Sequence, residues 1–307
     1  MLTQMGGGIA DTIAAVDPSI EVVVVPTDGD VDDVPGGDVL FASHRSATIS
    51  ALARKVPWVQ VFGTGVDGLP ADVFDGPVVT CARGASAIPI SEFVLATMLA
   101  FEKRLPETWI AEPPQHWGFV QLGALHGRTV AIAGMGGIGC AVAERALAFG
   151  CDVVGLRRTD GPSPVEGARM ASSLAELLPQ ADHLVVAAPA TSDTHHLIDR
   201  RALELVKPGV HVVNIARGEL IDQDALRVAL DDGRVAMASL DTVDPEPLPV
   251  DHWLYTHPKV RLSAHVSWSS PALGERLVEQ FCDNLRAAIK GTALADLHGV
   301  VDPAAGY

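Results

Sequence analysis

An arginine, a glutamate and a histidine stand in three short stretches of the second half of the chain: "NIARGELID" (214–222), "LDTVDPEPLP" (240–249) and "LSAHVSWSSP" (262–271). Each stretch begins where an apolar, β-branched run ends, so each is expected at the carboxyl end of a strand, where ligands of open α/β sheets bind. Arg217 offers a planar fork suited to a carboxylate. His265 offers an imidazole, which ordinarily titrates near ~6.5 and can both donate and accept a proton at neutral pH. Glu246 offers a carboxylate that, set beside an imidazole, orients the ring and favours its charged form. Each has a plainer reading when taken singly. Arg217 could pair with Glu219, "DPEP" could be an acidic turn, and most of the 11 histidines need no chemistry, including His195 and His196 in a turn before "LIDRR". Three such residues, each just after a strand, make a chance grouping the weaker explanation.

A second group surrounds the glycines of "AIAGMGGIGCAVAERALAFG". Gly134, Gly136 and Gly139 follow the run "RTVAIAG" and open a helical pattern that runs to Gly150. In a strand, turn and helix, the first glycine allows the tight turn, the second lets a pyrophosphate approach the backbone, and the third lets helix and strand pack closely. The helix amino terminus then offers unpaired N–H groups to the phosphates. A glycine turn that only packs is the plainer alternative. At the end of the next strand, where an acid would accept hydrogen bonds from a free ribose 2′-hydroxyl, stand Arg157, Arg158 and Thr159. Arginines would instead form charge-assisted bonds to a 2′-phosphate, so NADP is expected over NAD. A solvated or adenine-stacking pair that still accepts NAD is the alternative.

The elements that must position these residues alternate along the whole chain. Runs at 20–26, 38–43, 58–63 and 77–82 precede a helix expected from about Ser91, and a second series of six runs starts with "RTVAIAG" and ends with "KVRLSAH". That alternation predicts an α/β protein with two Rossmann-like domains built on doubly wound parallel sheets. The smaller, substrate domain is expected to be discontinuous, residues 1–93 and 269–307 around a dinucleotide-binding domain at 94–268, with a cleft that closes on its ligands. Residues 105–125, rich in proline and aromatic side chains and poor in periodicity, read as a linker or a dimerisation arm. Ser173 with Glu176 is a candidate capping box, Asp199 and Asp222 are candidate N-caps, and Ser270-Pro271 should start a helix ending at Gly291.

Composition excludes several classes. With 307 residues, 48% of them hydrophobic, the chain can bury a large core. A formal charge of -16 argues against nucleic acid or an anionic membrane as partner. The first basic residue is Arg45, and no apolar run reaches the ~18 residues of a membrane span, so a cytoplasmic protein is expected. Cys81, Cys140, Cys151 and Cys282 lack metal-site or disulfide spacing, and no metal is expected.

The chain resembles the D-isomer-specific 2-hydroxyacid dehydrogenase family over nearly its whole length. The likeness is carried by "FGTGVDGLP", the glycine turn, "PATSDTHHLID", the three stretches above and the closing "GVVDPAAGY". Within the family it is most similar to glyoxylate/hydroxypyruvate reductases, through "EPLP" and the final "GY". The resemblance implies NAD(P)-dependent reduction of a small 2-keto acid to a D-2-hydroxy acid. Negative charge builds on the carbonyl oxygen as hydride arrives, so the site needs a proton donor and a cation. His265 would be the acid/base, Arg217 would bind the carboxylate and polarise the carbonyl, and Glu246 would tune the histidine.

Further implied cofactor contacts are Gly137, Ile138, Pro189, Thr194, Ala216 and Asp241, the last holding the nicotinamide carboxamide. Thr64 and Gly65 would present backbone N–H groups to the substrate carboxylate, Asp67 would brace their loop, and "SHRS" (43–46) is a weaker candidate lining. A homodimer is the family expectation, and Trp117 in the arm either reaches a partner's site or packs within the dimer.

Departures narrow the reading. Trp268 stands where relatives carry small residues, and either walls a pocket for a small acid or packs elsewhere; Ala264 replaces a usual proline. Formate dehydrogenases carry glutamine at the place of Glu246, which disfavours that branch, and a regulatory domain of the phosphoglycerate dehydrogenase kind is not expected. The rival from another class is a non-catalytic, dinucleotide-sensing corepressor, since such relatives keep the same three residues.

Overall fold

The β-branched runs become twelve parallel strands among the described residues, divided between two compact units; the computed structural model describes residues 1–159 and 161–303. The first unit is Met1–Ser86 with Ser270–Tyr307. It contains β1 (Leu2–Thr3), α1 (Gly8–Ala14), β2 (Val23–Val24), β3 (Leu40–Ser43), α2 (Ile49–Ala53), β4 (Trp58–Phe62) and β5 (Val78–Cys81), in the sheet order β2-β1-β3-β4-β5. The run at 20–26 yields only two ladder residues, because its neighbour β1 is itself two residues long.

The second unit is Ala87–Ser269. It runs α3 (Ala87–Lys103), β6 (Thr129–Ala133), α4 (Gly137–Ala148), β7 (Asp152–Leu156), β8 (Arg169–Met170), α5 (Leu174–Leu177), β9 (His183–Val186), α6 (Arg200–Leu205), β10 (Val210–Asn214), α7 (Gln223–Asp231), β11 (Val235–Leu240) and β12 (Val260–Leu262). The sheet order is β12-β11-β10-β9-β6-β7-β8, with the reversal between β6 and β9. Six strands were expected. The seventh, β8, is a two-residue edge paired with Val154 and Gly155, too short to leave an apolar run. Both sheet faces are apolar, which is why the strands read as unbroken hydrophobic runs. Leu184, Val186 and Val212 pack on the side of Leu177, Leu226 and Leu230, while Val185 and Val213 pack with Val94, Met98, Val142 and Ala146.

The boundary expected after residue 93 falls inside α3, whose Ile90, Val94, Leu95 and Met98 all join that second core. Ile90 already packs in that core, and the second unit begins at Ala87. Helix α8 (Leu273–Ile289) belongs to the first unit, where Phe281 stacks on Phe41 at 4.3 Å and 9°. It starts three residues after Ser270, and Gly291 follows its end with a φ of +94°.

Helix starts follow the sequence. Ser173, Asp199 and Asp222 accept the backbone N–H of Glu176, Ala202 and Ala225, contacts worth ~1 kcal/mol each. The return half of the capping box goes one residue astray, since Glu176 accepts from Ser172 N at 2.8 Å instead of from Ser173. The four cysteines are free, and burial pushes the Cys151 thiol up to about 11. No helix among the described residues is long and apolar enough to cross a membrane. Residues 104–128 form turns and bends, with Trp109, Trp117 and Phe119 73–85% exposed. Gly306 and Tyr307, on which part of the resemblance rests, lie outside the described residues.

Candidate active site

The carboxyl ends of β10, β11 and β12 bring the three stretches together within the second unit. After β10 the chain turns sharply under the control of Asn214, which is buried. Its side chain accepts from Ala216 N at 3.1 Å and donates to Arg217 O at 2.8 Å. This clamp presents Arg217, whose Nη1 donates to Ala216 O at 2.6 Å. Gly218 comes next, where a Cβ would sit 1.9 Å from the Val243 carbonyl carbon, so only glycine lets this turn close onto the segment after β11.

That segment carries Glu246. Its Oε1 accepts from Val243 N at 3.1 Å and its Oε2 lies 2.9 Å from His265 Nδ1. A carboxylate accepts only, so Nδ1 carries the hydrogen of this bond and Nε2 is the nitrogen left to exchange a proton. Both side chains are about 37–38% exposed, accessible to a ligand.

His265 adopts a φ of +53°, a left-handed conformation that costs a non-glycine residue ~1–3 kcal/mol unless its surroundings enforce it. The enforcement is visible. His265 N donates to Asp241 O at 2.9 Å, and the Asp241 carboxylate accepts from Ser263 Oγ, Val266 N and Ser267 N at 2.5, 3.0 and 2.9 Å. The Trp268 indole N–H donates to His265 O at 2.6 Å. Burial opposes the charge of Asp241, but the hydrogen bonds from Ser263, Ser267 and Val266 outweigh it and hold the carboxyl below its ordinary range.

The glycine turn lies at the sheet's switch point. Gly134 has a φ of +114° and a Cβ there would meet Ala187 C and Ala188 N at 2.5 Å, while one at Gly139 would meet Gly134 O at 1.9 Å. At Gly136 a Cβ would meet nothing within 4 Å, and no side chain caps the first turn of α4. The turn is therefore tight toward the protein and open on the side where a pyrophosphate would lie, which fits a dinucleotide. Gly137 opens α4, and Ile138 is partly buried against the core. Pro189 and Thr194 meet in one turn, where Thr194 Oγ1 donates to Pro189 O at 2.6 Å and accepts from Thr191 N at 2.8 Å.

Beyond β7, Arg157 donates to Thr159 O at 2.9 Å and Pro162 O at 3.1 Å. With Thr159, Gly161, Met170, Ala171 and Ser172 it lines a cleft of about 170 Å³. Arg158 and Thr159 are exposed.

Thr64, Gly65 and Asp67 belong to the first unit, after β4. Thr64 O accepts from Cys81 Sγ at 3.6 Å, and the half-buried Thr64 and Gly65 precede the buried Val66. In the same unit, Gln4 holds the "SHRS" loop: its Oε1 accepts from Ser43 N at 3.0 Å and its Nε2 donates to Ser46 Oγ at 2.6 Å.

Residues 95–267 match the family model described as "D-isomer specific 2-hydroxyacid dehydrogenase, NAD binding domain". The chain belongs to this family. It is similar to D-3-phosphoglycerate dehydrogenase of Mycobacterium tuberculosis, 33% identical over 93% of this chain and 56% of that protein. The chain thus spans about half the length of that curated relative. It is also similar to glyoxylate/hydroxypyruvate reductase B of Pectobacterium atrosepticum, 35% identical over 66% of this chain and 65% of the reductase. Among solved structures, a D-isomer specific 2-hydroxyacid dehydrogenase from Xanthobacter autotrophicus Py2, in complex with NADPH and MES, covers 100% of both chains with a TM-score of 0.84 and 27% identity.

Asn214, Ser263 and Ser267 were not legible as site residues. Asn214 acts on the turn that follows it, with an Asn two residues before the "ARG" turn as its one signal, while Ser263 and Ser267 donate to Asp241 from 22 and 26 residues away.

Proposed function

We propose that this dehydrogenase reduces a small 2-keto acid of the glyoxylate or hydroxypyruvate kind to the D-2-hydroxy acid, with NADP preferred over NAD. The observation that carries the reading is the His265–Glu246 pair, 2.9 Å apart, beside the clamped Arg217 turn. When bound, the dihydronicotinamide supplies the hydride. Arg217 binds the carboxylate and polarises the neighbouring carbonyl. His265 delivers a proton from Nε2 to the carbonyl oxygen, because Glu246 holds Nδ1–H. Thr64 and Gly65 would add backbone donors to the carboxylate, and Trp268, 43% exposed, would favour small acids.

The cofactor would lie on Gly134, Gly136, Gly137, Ile138 and Gly139, with Pro189, Thr194 and Ala216 along it and Arg157, Arg158 and Thr159 at the 2′-phosphate. In support, the Xanthobacter neighbour was solved with NADPH. Replacing Arg157 and Arg158 with serine should weaken NADPH ~10-fold more than NADH, measured by fluorescence titration, and equal losses would overturn the assignment. The exposed Trp109, Trp117 and Phe119 make residues 105–125 the surface through which a homodimer would form, which sedimentation would detect.

Initial rates of NADPH and NADH oxidation with glyoxylate and hydroxypyruvate test the reading. Turnover is expected with both acids, faster with NADPH. Activity confined to 3-phosphoglycerate with NAD would align the chain with its mycobacterial relative instead, and silence with every substrate would favour the dinucleotide-sensing corepressor.

A further inference from the structure

We propose that Trp268 is a positioning residue: its indole N–H fixes the backbone carbonyl of His265 and with it the aim of the imidazole. The inference rests on the reading of His265 as acid/base. A four-residue turn is ordinarily closed by a hydrogen bond from the backbone N–H of its last residue to the carbonyl of its first. From Val266 to Ser269 that bond is present, with Ser269 N donating to Val266 O at 2.9 Å. From His265 to Trp268 the side chain takes its place. Trp268 Nε1 donates to His265 O at 2.6 Å, and among the described residues no other group donates to that carbonyl.

The carbonyl of His265 and the N–H of Val266 belong to one peptide group. Val266 N donates to Asp241 Oδ1 at 3.0 Å, so this plane is held at both ends, by a carboxylate at one and an indole at the other. Its orientation sets ψ of His265, a residue already at a φ of +53°. Releasing the carbonyl lets the plane rock, and a rocking backbone carries Nε2 away from a substrate oxygen while the bonds of Asp241 stay in place. The chain passes into the first unit between Ser269 and Ser270, so a displacement at that crossing meets two closed turns before it reaches His265.

Trp268→Phe keeps a flat apolar ring and removes the donor. If the N–H positions His265, kcat with glyoxylate and NADPH should fall ~10-fold, while KM for glyoxylate and the dissociation constant of NADPH stay within about threefold. Exchange of the Val266 and Ser267 amides should accelerate at least ~5-fold. Trp268→Ala removes ring and donor together, and its kcat should lie within about threefold of the Phe variant. A Phe variant with kcat and exchange unchanged and KM alone altered would make Trp268 only a wall of the pocket and overturn the proposal, as would a loss of kcat confined to the Ala variant.

A further measurement needs neither turnover nor a variant that folds. In the wild-type protein the Trp268 indole N–H should exchange at least ~10-fold more slowly than those of Trp109 and Trp117, which are 73% and 75% exposed. Equal rates would contradict the bond itself. The exchange readings decide the question even if the wild type is inactive with every 2-keto acid, in which case the functional reading fails and the hold on the histidine turn is judged alone.

Discussion

Two histidine sites occupy opposite ends of the same sheet. At the carboxyl ends, His265 meets Glu246 with both side chains more than a third exposed. At the amino ends of β9 and β10, His183 and His211 face each other with their Nδ1 atoms 3.1 Å apart, both fully buried. Glu102 Oε1 lies 3.3 Å from His183 Nε2 and 3.0 Å from Arg128 Nε, Ser239 Oγ lies 2.9 Å from His211 Nε2, and Phe101 stacks on His211 at 4.7 Å. Asp182 and Lys207 flank Arg128 outside the pair. Burial drives the His211 pKa well down, and the neighbouring His183 adds to it. Burial opposes the Glu102 charge, yet the neighbouring His183 imidazole and the Arg128 guanidinium keep its carboxyl below the ordinary range. The same residue types thus serve opposite ends. Walled in, they hold helix α3 to the sheet; on a braced turn open to ligands, they can exchange protons.

The contrast breaks most sharply at the open end. Arg217→Ala should cost kcat/KM ~1,000-fold with glyoxylate, since the carboxylate loses its fork and the carbonyl its polarising charge, while the melting temperature stays within about 2 °C. A large fall in melting temperature would make Arg217 structural.

Glu102→Ala should show the reverse. It leaves His183 without its acid partner and should destabilise the fold by ~2 kcal/mol, discounted because Arg128 is 42% exposed, with turnover per folded molecule unchanged. Chemical denaturation combined with active-site titration checks both halves.

The smallest effect is in pH. His211 has a folded pKa below its unfolded value, so between the two the unfolded chain binds the extra proton. Its contribution is therefore complete above ~6.5 and is lost as pH falls below that, at up to ~1.4 kcal/mol per unit. Stability between pH 7.5 and 5.5 should fall less in His211→Asn than in the wild type, and parallel curves would remove His211 from the account.

Legibility followed the range of the interaction that creates each feature. Asp199 and Asp222 cap helices through neighbours three residues on, and Gly134 and Gly139 enforce a local turn, so both could be read from short patterns. The brace on His265 depends on Asp241 reaching donors 22 to 26 residues away, and His183 meets His211 only because β9 and β10 are adjacent. Strand β8 has two residues, and α3 starts at Ala87, four residues before the expected Ser91, with Ile90 already in the second core.

The most direct measurement compares NADPH oxidation by glyoxylate in the wild type and in His265→Gln, with NADPH affinity and melting temperature measured on both. The account predicts turnover in the wild type and a loss of at least ~100-fold in the variant, with affinity and melting temperature nearly unchanged. Turnover retained within about threefold would contradict the assignment of His265 as the proton donor.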